Sequence, residues 1–114
     1  ISGENSYLWK GGVTNENKLY RSSSKYRTWR KNVFIRDEYT CQCCGHIGGI
    51  LNAHHIENFS DNIDKRLDIK NGITLCKSCH HPTIEGSFHH IYGTKNNTLD
   101  QLNEYFTYKK SVLL

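Results

Sequence analysis

Four cysteines in two Cys-x-x-Cys pairs, Cys41 with Cys44 and Cys76 with Cys79, constrain this chain more than any other feature. Each pair lets two thiolates converge on one ion through a tight turn, and Gly45 directly after Cys44 suits such a turn. Four thiolates at about 2.3 Å from the ion make a closed, tetrahedral structural zinc site. The competing arrangement is a set of disulfides. An odd total of five cysteines and the absence of a signal-peptide pattern in the polar stretch Ile1 to Gly12 weigh against it. Cys43 is the spare thiol, since using it would break the spacing of the first pair, and its expected role is packing.

Composition explains why such a staple is needed. The chain has 114 residues, only 36% of them hydrophobic, and no Met. That length favours one compact domain with an extended arm, and a core this lean needs a metal or disulfides. The start at Ile1 reads as a trimmed one, so it says nothing about a targeting signal. No apolar stretch approaches the roughly 20 residues needed to span a bilayer, so a soluble protein of the cytoplasm is expected, without a membrane partner.

The order of elements follows from spacing. Residues 1–24 are rich in Gly, Ser, Asn and cations and read as an extended arm; residues 25–114 form the domain. Ser22, Ser23 and Ser24 can cap a helix over about 25–37, where Tyr26, Trp29 and Val33 recur at helical spacing, with Trp29 expected to pack on the zinc knuckles. Asp37 to Gly49 holds the first knuckle, Ile50 to Ile56 a short strand, Glu57 to Lys70 a loop, and Ile73 to Leu75 a second strand. Cys76 then opens a helix that Pro82 limits. Thr98 and Gln101 have capping-box spacing ahead of a helix over about 98–110, with Leu99, Leu102 and Phe106 on its apolar face. The fold class expected is α+β: a small zinc-stabilised ββα finger with flanking helices and the N-terminal arm.

Charge suggests a partner. The net charge is +4 and the pI about 8.8, but the distribution says more. Seven cations (Lys18, Arg21, Lys25, Arg27, Arg30, Lys31, Arg36) fall between residues 18 and 36 with no acid among them, and Tyr20, Tyr26 and Trp29 are interleaved. Such a run can neutralise phosphates; the bland alternative is a solvated helix face.

Seven histidines complete the chemistry: His46, His54, His55, His80, His81, His89 and His90. Imidazole titrates near neutrality and ligates divalent metals. On a strand, His54 and His55 point to opposite faces, so one can bind metal while the other is aimed at a water.

Cys41-x-x-Cys44, Ala53-His54-His55-Ile56 and Asn71-Gly72-Ile73-Thr74-Leu75-Cys76-x-x-Cys79-His80 together resemble the HNH endonucleases, the ββα-metal nucleases, over about Tyr26 to Gly93. Phe88-His89-x-x-Tyr92-Gly93 is similar to the tail of many members, although the segment between His81 and Phe88 is longer than usual. The resemblance implies His55 as general base, Asn71 as the residue that holds the finger loop and orients the base, and His54 and His80 as ligands of a catalytic cation, with His89 completing or supporting that site. It also implies the Cys41, Cys44, Cys76 and Cys79 zinc. Many relatives carry Asp where this chain has His54. Gly3-Glu4-Asn5-Ser6-x-x-Trp9-Lys10-Gly11-Gly12 resembles a motif that accompanies HNH domains in phage homing endonucleases, which implies a phage or mobile-element enzyme working in a bacterial cytoplasm on double-stranded DNA. Lys18, Arg21, Lys25, Arg27, Arg30 and Lys31 would then line the DNA backbone.

The chemistry fits independently. A neutral imidazole with a pKa near 6.5 can take a proton from water at physiological pH. A divalent cation can polarise the phosphate and stabilise the leaving 3′-oxygen. Imidazole ligands favour Mn²⁺ and its later neighbours over Mg²⁺. A zinc-ribbon module that binds DNA without cutting it is the alternative reading, but such a binder has no need of His54, His55, Asn71 and His80 together.

Overall fold

The computed structural model describes residues 23–58 and 63–113. In chain order they form α1 (Ser24–Arg36), β1 (Leu51–His55), α2 (Ile63–Arg66), a 3-10 turn (Ile69–Asn71), β2 (Gly72–Cys76), α3 (Lys77–His80), α4 (Phe88–Tyr92) and α5 (Leu99–Leu113). The arm expected over 1–24 lies outside the described residues, apart from its last two.

Helix α1 starts where the serines predict. Ser23 is extended and its hydroxyl accepts from the Tyr26 amide at 3.2 Å, satisfying one of the helix's orphan donors. Trp29, Val33 and Phe34 are its buried residues. At its end Arg36 donates to Asp37 (2.9 Å), to the Ile69 carbonyl (2.8 Å) and to the Gly72 carbonyl (2.6 Å), while Asp37 accepts from the Thr74 amide at 2.9 Å. Arg36, counted in the basic run, is therefore engaged in tying α1 to β2.

Strands β1 and β2 pair antiparallel, with Leu51 opposite Cys76, His54 opposite Ile73 and His55 opposite Gly72. Both faces of β2 are covered, which accounts for the burial of Gly72, Thr74, Leu75 and Cys76. Helix α1 lies on one face: Gly72 meets Val33 and Trp29 there, and the Thr74 hydroxyl donates to the Val33 carbonyl at 3.5 Å. Leu75, Cys79, Phe88, Leu102 and Tyr105 share the main cluster with Phe34, Cys41 and Leu51.

Helix α3 is a single turn that ends at His81, extended as the residue before Pro82 must be. The capping box of α5 is formed: the Gln101 amide donates to the Thr98 hydroxyl at 3.2 Å, and the Thr98 amide donates to Gln101 Oε1 at 3.1 Å.

Three expectations need correction. The stretch Glu57 to Lys70 is not simply a loop, because it contains α2 and begins the 3-10 turn, whose Lys70 amide donates to the Asp68 carboxylate at 2.9 Å. On α5, Leu99 is 47% exposed, and it is Leu102 and Tyr105 that are buried. Finally, Trp29 packs against His55, as described below, rather than on the zinc knuckles. Among the described residues, no helix is long and apolar enough to cross a membrane.

Candidate metal centres and active site

The first knuckle is a turn built on backbone hydrogen bonds. The Cys41 amide donates to the His46 carbonyl at 2.8 Å and the Gly45 amide to the Cys41 carbonyl at 2.8 Å. Gly45 takes φ +81, a conformation glycine adopts without strain. The second knuckle is the end of β2 running into α3. The four sulfurs of Cys41, Cys44, Cys76 and Cys79 lie within 4.8 Å of one another, and those of Cys44 and Cys76 are 3.6 Å apart. Tetrahedral zinc thiolates at about 2.3 Å would set their sulfurs about 3.8 Å apart, so the cage fits such an ion. A hydrogen bond from Cys79 is the main reason the Cys41 thiol lies far below its usual value, and the same interaction pushes Cys79 up. Cys43 stands outside the four and packs against the core.

A second group of ligating atoms, those of His54, His80 and His89, also lies within 4.8 Å. It sits on the β1 face opposite α1. The ring centroids are 5.2 Å apart for His54 and His80, 5.1 Å for His54 and His89, and 4.5 Å for His80 and His89. Three short elements deliver one residue each: β1, α3 and α4. Helix α4 was not foreseen from sequence; the Ser87 hydroxyl caps it, accepting from the His90 amide at 3.1 Å.

His54 is 2% exposed, and its Nε2 is buried with no hydrogen-bond partner. A buried, unpartnered imidazole nitrogen costs free energy unless something takes its lone pair, and a metal ion does so. Burial, followed by the charges of His80, His89 and His55, lowers the His54 pKa well below its ordinary value and keeps the ring neutral. Burial also lowers that of His89. The His89 Nδ1 is 2.7 Å from the Gly93 carbonyl; because a carbonyl only accepts, Nδ1 carries the hydrogen and Nε2 keeps the lone pair. The donor set thus fits a divalent cation of the borderline class.

His55 points the other way, toward α1. Its Nε2 is 3.0 Å from the Arg66 carbonyl. By the same reasoning Nε2 carries the hydrogen, and in the neutral ring Nδ1 holds the lone pair. The ring lies flat on Trp29, with centroids 4.2 Å apart and an interplanar angle of 7°. Asn71 closes the segment between the strands. Its Oδ1 accepts from the Glu57 amide at 2.9 Å, and its Nδ2 donates to the carbonyls of Glu57 (2.8 Å) and Lys65 (3.2 Å). Asn71 therefore bonds the backbone one residue from the carbonyl that His55 uses. The Arg66 carbonyl holds the ring directly, while Asn71 bonds the backbone of the same segment.

Of the expected DNA-contacting cations, Lys25, Arg27, Arg30 and Lys31 are exposed on α1, with the Arg30 guanidinium 4.8 Å above the Phe34 ring. Lys18 and Arg21 lie outside the described residues. The site residues that sequence reasoning missed are Trp29, Arg66 and Asp68, the last two acting through main-chain carbonyls that no side-chain pattern could disclose.

Comparison with known proteins adds two findings. A family model described as HNH endonuclease matches residues 41–82. A protein named anaredoxin, from Nostoc sp. strain PCC 7120, is 34% identical over 56 residues, which cover 49% of this chain and 71% of the relative. No solved structure matches. The family match begins at the first clustered thiol and ends just past α3, so it contains both strands and both Cys-x-x-Cys pairs, and the chain belongs to the HNH endonuclease family.

Proposed function

We propose that the protein is a metal-dependent DNA endonuclease that hydrolyses phosphodiester bonds to a 5′-phosphate and a 3′-hydroxyl. One observation carries the reading: β1 sends adjacent histidines to opposite sides, His54 into a three-imidazole group with an unpartnered buried nitrogen, and His55 to a carbonyl that leaves its Nδ1 basic. A pure DNA-binding zinc module needs neither device.

In this reading His55 Nδ1 accepts the proton of the attacking water. His54, His80 and His89 hold a divalent cation, which when bound stabilises charge on the phosphate and the leaving oxygen. Asn71 fixes the Glu57–Lys65 segment and so places the Arg66 carbonyl that orients the base. Cys41, Cys44, Cys76 and Cys79 hold zinc as a structural ion. Lys25, Arg27, Arg30 and Lys31, with Lys18 and Arg21 of the 1–24 arm, contact the backbone of double-stranded DNA while 25–114 forms the nuclease domain. A phage or mobile-element homing role in a bacterial cytoplasm rests on the Gly3 to Gly12 motif.

Plasmid nicking tests the proposal. The native chain should cut with an added divalent cation, and Mn²⁺ should support at least as much activity as Mg²⁺, because among the described residues the donor set is three imidazoles. His55→Ala should keep fold and zinc but lose on the order of 10²-fold or more in rate. Equal cleavage by the two proteins refutes the base assignment, and binding without any cleavage by the native chain favours the non-catalytic alternative.

A further inference from the structure

Three site side chains grip consecutive parts of one short backbone segment. Asn71 donates to the Lys65 carbonyl at 3.2 Å, His55 to the Arg66 carbonyl at 3.0 Å, and the Trp29 Nε1–H to the Asp68 carbonyl at 2.9 Å. Trp29 and His55 are linked twice, through this segment and through their stacked rings. Tyr26 lies tilted beside both, with its centroid 5.8 Å from Trp29 and 6.4 Å from His55.

The second torsion of a histidine is broad and soft, so nothing in the side chain itself fixes where Nδ1 points. The hydrogen bond at Nε2 anchors one corner of the ring but does not by itself fix the plane. A flat indole at stacking distance removes that freedom by fixing the plane. Trp29 can do this because it is itself immobilised. It is buried, its Nε1–H is bonded, and β2 leaves it space only through Gly72, where an added Cβ would come within 2.6 Å of its Cζ2. A buried indole that served only as core would need the hydrogen bond but not the parallel ring.

We propose that Trp29 is a positioning residue for the reaction: it sets the plane of His55 and thereby the direction of the Nδ1 lone pair toward the attacking water. This rests on the reading of His55 as the base. The effect belongs in kcat and not in KM, because substrate binding does not depend on the ring's tilt.

A double-substitution cycle on nicking rates, run in the full chain with its zinc bound, tests it. Trp29→Leu should lower kcat by roughly 10-fold to 10²-fold with KM nearly unchanged, the scale of a reacting group misplaced by about an ångström. Trp29→Phe, which keeps a flat face but lacks the Nε1–H, should lose less. In the His55→Ala background the same substitutions should alter the residual rate by less than about twofold, since the group they position is gone. Equal proportional losses in both backgrounds, a loss confined to KM, or no loss in either background overturns the proposal. If the leucine variant fails to fold, Trp29→Phe and Trp29→Tyr carry the same comparison. Failure of the base assignment is read separately, from His55→Ala alone matching the native rate.

Discussion

Gly72 lies opposite His55 in the strand register, and its role is space rather than backbone freedom. At φ −125° it occupies ordinary extended backbone that any residue adopts. An added Cβ, however, would approach Val33 Cγ2 to 2.5 Å and Trp29 Cζ2 to 2.6 Å. Gly72→Ala should therefore destabilise the domain by about 1–3 kcal/mol through overpacking, read as a lower denaturant midpoint at unchanged slope. A change below about 0.5 kcal/mol would mean that α1 moves aside at little cost, and that Trp29 is held less firmly than its contacts suggest. Such contacts mark where sequence reading stops. The residues to which the proposal gives the chemistry, Cys41, Cys44, Cys76, Cys79, His54, His55, His80 and Asn71, could be singled out in the sequence because few residue types do these jobs and their spacing is fixed by turn and strand geometry. The partner of Trp29 could not, because helical spacing says that Trp29 faces inward and says nothing of which surface it meets.

Between elements, the join of α1 to β2 depends on one carboxylate. Asp37 accepts from the Arg36 guanidinium and from the Thr74 amide, and Arg36 reaches on to the Ile69 and Gly72 carbonyls. Burial alone would raise the Asp37 pKa; the hydrogen bonds from Arg36 and Thr74 outweigh it and hold the carboxyl below its ordinary value. The sign follows. A carboxyl whose folded value lies below the unfolded one contributes stability that is complete above the unfolded value, near 3.9, and is lost as pH falls through the folded value. Asp37→Asn should thus cost about 1–3 kcal/mol at neutral pH, the usual loss when charged hydrogen bonds are weakened and a buried amide loses its acceptor. That cost should stay constant between about pH 6 and 8, since Asp37 does not titrate there. Denaturant melts across this range give the check, and a cost that changes steeply within it would mean another group is responsible. Element types were legible to different depths. Helix α1 and the start of α5 carry caps and long periodic patterns, and β1 and β2 are bounded apolar runs. Helices α2 and α4 span four and five residues, too short for a periodic signal, and exist because tertiary contacts hold them.

At the scale of the molecule, among the described residues two groups able to hold a metal ion hang on one pair of strands, and removal of each ion should have a different result. The thiol group joins the first knuckle, the end of β2 and α3, and Cys41, Cys76 and Cys79 are themselves part of the main hydrophobic cluster. The imidazole group joins β1, α3 and α4 above that core. A structural zinc site contributes roughly 10–16 kcal/mol in small zinc domains, as much as the whole 5–15 kcal/mol stability of a typical domain. Stripping the thiol-bound ion should therefore unfold the protein, whereas emptying the imidazole site should silence it at a far smaller cost in stability. Metal analysis after dialysis is expected to find one tightly held zinc per chain; iron in its place would show that the tetrathiolate cage selects differently. Cys76→Ser, or a strong chelator, should abolish cooperative melting and most of the far-ultraviolet dichroism. His89→Ala takes away one of the three imidazoles from a half-buried position. It should leave the zinc content and the melt near those of the native chain while cation-dependent cleavage is lost. If the chelated protein still melts cooperatively, the apolar contacts alone sustain the fold and the thiol cage is not what holds it. If instead His89→Ala unfolds along with Cys76→Ser, the two groups form one structural unit, and the division between a stapling ion and a working ion fails.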